Sequence, residues 1–167
     1  QIGRAIEQIE HAMQECWINR LWDDTKNQDN GNKLRLYRLF KNRIESDCYV
    51  TQSMPRYLRK MIANLRCGSL QIKVETGRYE NVPLPERSCT FCSDGSIEDE
   101  IHVLLHCELY NDIRYRLLQH MNSLIENFNE LPPVTQYCTI MTTSSCQYIL
   151  AKYLFKMMKR RNIHDIS

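Results

Sequence analysis

Apolar positions along this chain recur mostly at intervals of three and four, the period of an amphipathic α-helix. Ile2, Ile6, Ile9, Met13, Cys16 and Trp17 form the first such set, and it predicts a helix ending near Asp23 whose stripe packs into the core. Residues 25–32, TKNQDNGN, read as a polar loop with an Asn-Gly turn signal. A second helix is expected over Lys33 to Glu45, with Tyr37, Phe40 and Ile44 facing inward. A third starts at Pro55, where Leu58, Met61, Ile62 and Leu65 make the stripe and Arg56, Arg59 and Lys60 lie opposite. Arg66 in its last turn and Gly68 just beyond mark its stop.

The period then changes. Leu70, Ile72 and Val74 alternate with polar residues, which allows at most a short β element near 70–76 or an extended connector. The segment NVPLPER is irregular, with two prolines. Helical spacing returns in Ile113, Leu117, Leu118, Met121, Leu124, Ile125 and Phe128, and ELPPVTQ breaks it. Ser144 or Ser145 then caps a final helix with an inward stripe from Cys146 to Met158. Lys152, Lys156 and Lys159 to Arg161 form its wet side. The expected fold is mainly α, an irregular helical domain with a small metal knuckle.

Its parts are residues 1–24, an amphipathic helix; 33–85, a basic helical segment and connector; 86–130, the knuckle and the helix after it; and 131–167, a loop and the C-terminal helix. At 167 residues these fit one domain with a real core. No run of apolar residues is long enough for a transmembrane helix, so no membrane partner is expected. The N-terminus has no signal-peptide core and no initiator Met, and the chain reads as a fragment of something longer. The net charge of +2 conceals blocks: −3 over residues 1–32, +7 over 33–87, −6 over 88–130 and +4 over 131–167. Such blocks suggest a surface facing a polyanion.

Of eight cysteines, five stand singly, and the other three cluster with histidines in CTFCSDGSIEDEIHVLLHC, residues 89–107. The lack of a secretion signal favours a reduced, intracellular protein, nuclear or cytoplasmic, with one metal site rather than a disulfide scaffold. Cys89 and Cys92 are spaced C-x2-C, so one tight turn presents two thiolates to one ion, with the intervening amides aimed at the sulfurs. Asp94-Gly95 turns the chain. Ser96 is the expected cap of a helix that carries His102, with Asp99 three residues on in a capping-box arrangement. Glu98, Asp99 and Glu100 crowd the first turn, where the helix dipole favours negative charge.

The fourth ligand is open between two residues. On a regular helix His102 and His106 share a face, whereas His102 and Cys107 lie about 140° apart. A regular helix favours His106, and one that loosens in its last turn favours Cys107. Either set closes the site to water, so the Zn2+ it would hold, one per chain, is structural.

The segments KLRLYRLFK, LRCGSLQIKVETGRY, ERSCTFC and EDEIHVLLHCELYNDIR resemble the C-terminal region of LINE-type (non-LTR) retrotransposon reverse transcriptases of animals. The likeness spans about residues 33–118, with its specific part at 66–116. It implies a CCHC zinc knuckle made by Cys89, Cys92, His102 and Cys107. It also implies binding of RNA or DNA around the knuckle, and contact with an upstream polymerase part of the parent chain. Members often carry proline after the last cysteine, where this chain has Glu108. A polymerase needs carboxylates that hold two metal ions. The single Asp-Asp here, Asp23-Asp24, reads as solvated charge at a helix end. No phosphate loop or catalytic triad is present. The chain is therefore expected to be no enzyme and to take no small-molecule substrate. Its expected phosphate contacts are Arg35, Arg38, Lys41, Arg59, Lys60 and Arg78. The alternative function is a zinc-stabilised structural or protein-interaction domain without nucleic-acid binding.

Overall fold

The computed structural model describes residues 2–25 and 30–164. Among them are nine α-helices and no strand. In chain order these are α1 (Ile2–Trp22), α2 (Tyr37–Phe40), α3 (Cys48–Thr51), α4 (Arg56–Arg66), α5 (Lys73–Tyr79), α6 (Glu100–Leu105), α7 (Asn111–Leu124), α8 (Pro133–Thr142) and α9 (Ser144–His164). None is long and apolar enough to cross a membrane. All eight cysteines are free.

The core gathers on α9, which packs against α3, α4, α7 and α8. Its inward positions Cys146, Leu150, Ala151, Leu154 and Met157 are fully buried. They meet Leu58, Ile62 and Leu65 of α4 and Leu117 and Met121 of α7 in one apolar cluster. Each such aliphatic side chain contributes about 1.5–3 kcal/mol by leaving water. The helix α4 stops as its sequence predicts: Gly68 takes φ +59°, and a Cβ there would sit 2.5 Å from the carbonyl oxygen of Lys33.

Four expectations are corrected. The helix placed over Lys33 to Glu45 is only the single turn α2, because the chain becomes extended at Lys41. There the Lys41 ammonium turns inward, donating to the Glu45 carbonyl and pairing with Asp47. Ile44, expected inside, is exposed. Residues 73–79, of which 73–76 lie within the segment allowed a strand, form the helix α5. Leu70, Ile72 and Val74 are all buried, so their alternation reflects a tight turn into a helix. The prolines of ELPPVTQ begin a helix rather than break one: α7 has already ended at Leu124, where the chain becomes extended at Ile125, and Pro132 caps α8 and Pro133 opens it. Finally, the α1 stripe is not core. Ile2, Ile6, Ile9 and Met13 are 51–80% exposed, and Cys16 is exposed as well. Only Gln14, Trp17, Ile18, Leu21 and their neighbours lean on the rest of the chain.

Candidate metal centre

Two short pieces of backbone meet at the site. The loop 88–97 is pinched by an isolated antiparallel bridge between Ser88 and Ile97, and the Cys89 amide donates to the Ser96 carbonyl at 2.8 Å. Asp94 accepts from the amide of Ser96 at 3.0 Å and from its hydroxyl, which fixes the turn at Gly95, where φ is +70°. Ser96 is thus spent on the turn. The cap of α6 is Asp99, whose carboxylate accepts from the His102 amide at 2.8 Å.

The end of α6 sets which side chain joins Cys89, Cys92 and His102. The His102 carbonyl accepts from two amides, His106 at 2.8 Å and Cys107 at 2.7 Å. The second bond spans five residues, so the last turn is widened. That widening carries Cys107 back over His102, where it is fully buried, while His106 points to solvent.

The sulfurs of Cys89, Cys92 and Cys107 and a ring nitrogen of His102 all lie within 4.8 Å of one another, and the four can hold a metal ion. Cys107 Sγ is 3.8 Å from Cys89 Sγ and 3.8 Å from Cys92 Sγ, and Cys92 Sγ is 3.5 Å from His102 Nε2. Thiolates at about 2.3 Å and an imidazole at about 2.0–2.1 Å from a tetrahedral ion would stand about 3.8 Å apart, sulfur to sulfur, and about 3.5 Å, sulfur to nitrogen. Three of the six donor–donor distances therefore match those of a tetrahedral four-ligand shell.

Each sulfur also receives a backbone amide. Phe91 donates to Cys89, Leu109 to Cys107, and Glu108 to Cys92 at 3.2 Å. A proline at position 108 could not make the last of these bonds. Burial pushes the Cys89 and Cys107 thiols up and the His102 imidazole down. The neutral imidazole is the form that ligates. A bound cation would overcome the cost to the thiols by coordinating them as thiolates.

Buried charges surround the cage, and the sequence gives no sign of them. Glu98 is 0% exposed, with Oε1 3.8 Å from Cys89 Sγ. Its other oxygen accepts from the Lys73 amide at 2.7 Å, and the carboxylate pairs with Arg161 of α9. Arg161, expected on the wet side of its helix, is buried, with its guanidinium 5.1 Å from the Phe91 ring. Arg87, just before the knuckle, is 1% exposed and donates to the carbonyls of Val82 and Val74, each at 2.8 Å, and to Asn30 Oδ1 at 2.7 Å. Arg114 donates to the Cys107 carbonyl at 2.7 Å, which sets positive charge against a thiolate-rich shell. Local spacing announces few of these partners, because Lys73, Val74, Asn30 and Arg161 are distant in sequence from the groups they meet.

Most of the expected phosphate contacts are engaged within the chain. Arg35 pairs with buried Glu100. Arg38 grips both oxygens of Asp24 and covers the Trp22 ring. Lys41 is buried on Asp47, Arg59 donates to the carbonyls of Gln52 and Met54, and Arg78 pairs with Glu75 and donates to the Gly31 carbonyl. Of the six, only Lys60 is exposed without a partner among the described residues. The other five have partners within the chain.

A further group of free positive charges lies on α9. Lys152, Lys156 and Lys159 are exposed on one stripe of that helix and have no carboxylate partner among the described residues. Lys152 covers Tyr148 at 4.4 Å and Lys156 covers Tyr153 at 5.0 Å. Between α7 and α9 runs a groove of about 480 Å³ whose lining mixes the apolar Ile113, Tyr153 and Ile163 with Asp112, Arg116, Lys156, Lys159 and Arg160. Compared with protein-family models, curated proteins and solved structures, the chain matches none.

Proposed function

We propose that this chain is a non-catalytic part of a retrotransposon-type reverse transcriptase, folded around a structural Zn2+ and binding the backbone of RNA or DNA. The zinc assignment rests on the Cys3His donor set and its tetrahedral spacing. With four protein ligands the ion would act as a clasp between the 88–97 loop and α6, without Lewis-acid work on a substrate. The parentage rests on the sequence likeness over 33–118. An upstream polymerase part of the parent is then a natural partner for the exposed α1.

The observation that carries nucleic-acid binding is the lysine stripe of α9 beside the Arg116 groove. Its cations are unneutralised, regularly spaced and interleaved with tyrosines. Such a surface binds phosphates with strong salt dependence and little sequence preference. The test is titration of labelled single-stranded RNA and duplex DNA at about 50 mM and about 200 mM salt. Binding at the lower salt that weakens steeply at the higher supports the reading, and no binding at the lower salt sinks it. A second reading, in which the clasp only folds the chain and its helices dock onto protein, is favoured by the exposed stripe of α1.

A further inference from the structure

No Asp or Glu occurs at positions 48–74 or 131–164, although the chain carries 20 of them. These two acid-free runs contain α3, α4, α8 and α9, and the first three pack on the fourth. Folding thus gathers four helices without a carboxylate of their own into one region. Arg56, Lys60, Lys152, Lys156 and Lys159 are exposed there. Clustered cations with no acid on their own helices favour a polyanion over a surface of mixed charge.

Aromatic rings are interleaved with these cations. On α9, Tyr148, Lys152, Phe155 and Lys159 follow intervals of four, three and four, so ring and ammonium alternate along one stripe. All four are exposed. The Lys152 ammonium lies 4.4 Å from the centre of the Tyr148 ring. Tyr57 of α4 meets Phe155 edge to face, with ring centres 5.0 Å apart. Lys60 follows Tyr57 by three residues and shares its side of α4. Two rings from two helices are therefore framed by Lys60, Lys152 and Lys159.

Tyr57 is 52% exposed and Phe155 39%. The exposed apolar side chains of this face are aromatic. No Leu, Ile, Val or Met of α4 is exposed, and the one exposed on α9, Ile163, lines the groove beside α7. The aliphatic area that an acyl chain or an amphipathic helix would cover is missing. Flat rings among ammonium groups fit the flat bases and the phosphates of a nucleic-acid strand.

A duplex and a single strand meet such a face differently. The duplex keeps its bases stacked inside and offers phosphates. An unpaired strand offers phosphates to the lysines and bases to the rings. We infer that the α4–α9 face selects single-stranded nucleic acid, with Tyr57 and Phe155 as stacking rings and Lys60, Lys152 and Lys159 on the flanking phosphates. This rests on the nucleic-acid reading above and adds to it the form of the strand.

The test is anisotropy titration of the full chain at about 50 mM salt with three labelled probes. They are oligothymidylate, an abasic strand with the same number of phosphates, and a hairpin duplex. Oligothymidylate is expected to bind most tightly. Tyr57→Leu with Phe155→Leu keeps apolar side chains and removes the π faces. It should weaken oligothymidylate binding about 5-fold or more, with abasic-strand binding and the melting temperature unchanged. Tyr57→Phe with Phe155→Tyr should retain the affinity. Equal affinity for oligothymidylate and the abasic strand overturns the inference and leaves backbone binding standing. So does full affinity in the leucine variant, its loss in the swapped pair, or duplex binding as tight as that of the unpaired strand. Absence of binding to all three probes removes the nucleic-acid reading itself, and the inference with it.

Discussion

The Glu98 carboxylate stands between the Cys89 sulfur of the metal cage, 3.8 Å away, and the Arg161 guanidinium of α9. Glu98 and Arg161 are 63 residues apart in sequence, and both are buried. This pair, with Phe91 over the guanidinium, joins the cage to the helix that organises the core.

Removing one member of a buried pair leaves an uncompensated charge, at a cost of about 3–5 kcal/mol. Arg161→Met is therefore expected to lower unfolding stability by about that amount, read from urea denaturation of the metal-loaded chain. Adding Glu98→Gln to it should recover much of the stability. Equal stability of Arg161→Met and the parent chain would show that the pair does not hold α9 to the cage.

The widened end of α6 separates the two candidate ligands experimentally. Cys107→Ser should lower zinc content well below one ion per chain in native mass spectrometry and melt the 88–107 segment, since site free energy is folding free energy. His106→Gln should leave both unchanged, because His106 faces solvent. The opposite pattern would return the ligand to His106.

Cations engaged in the fold and cations left free should behave differently. Replacing Lys152, Lys156 and Lys159 together by Gln removes three candidate phosphate partners. The salt slope of duplex binding should become shallower by about 0.9 for each phosphate that is no longer neutralised, with the melting temperature unchanged. Lys41→Gln should do the reverse, lowering stability and leaving affinity alone, because its ammonium is buried on Asp47. Thermal melting and anisotropy titration of the same preparations decide between them.

Across the groove, Arg160 of α9 holds Asp112 of α7, and its hydrogen bond keeps that carboxyl depressed to about 2 from the usual 3.8. A depressed carboxyl stabilises the folded chain above its unfolded value and surrenders that contribution as pH falls toward its folded value. The decline should thus fall between about pH 4 and pH 2. Asp112→Asn should flatten the stability profile in that window. The effect is small, since Asp112 is exposed.

Gly68 offers a backbone test. Its left-handed φ alone costs an alanine about 1–2 kcal/mol. The 2.5 Å approach to the Lys33 carbonyl adds a clash with backbone that has little room to yield. Gly68→Ala should lower the denaturation midpoint by more than the conformational cost alone, and an unchanged midpoint would contradict the placement of α4 against residue 33.

What the sequence disclosed was what local spacing can encode. Helices α4, α7 and α9 were legible because their stripes repeat over two turns or more, although α7 stops at Leu124, short of the proline segment expected to break it. Cys89, Cys92 and His102 were legible because two ligands share a turn and the third follows on the next helix. Spacing alone left the fourth between Cys107 and His106, because it depends on whether one carbonyl accepts a second amide, and the structure groups Cys107, the residue the family likeness implied. Helix α5 was hidden because Leu70, Ile72 and Val74, which alternate like a strand, are all buried, and α8 because paired prolines end a helix as readily as they start one. The basic residues of 33–87 misled for a different reason: charge composition does not say which carboxylates the fold will place beside them. Glu75, Glu100 and Asp47 claim those cations only once the chain has closed on itself.

The sequence separation of Glu98 and Arg161 also sets an order of events during synthesis. All four cage residues leave the ribosome once Cys107 has emerged, and Arg161 follows only after α7, α8 and most of α9. Until then Glu98 has no Arg161 beside it and stays where water can reach it. The metal loop can form early, but it cannot be sealed until the last helix arrives. A transcript interrupted before codon 161 would yield a chain that has the four cage residues yet keeps an open seam of apolar surface, the feature by which cells select incomplete proteins for removal.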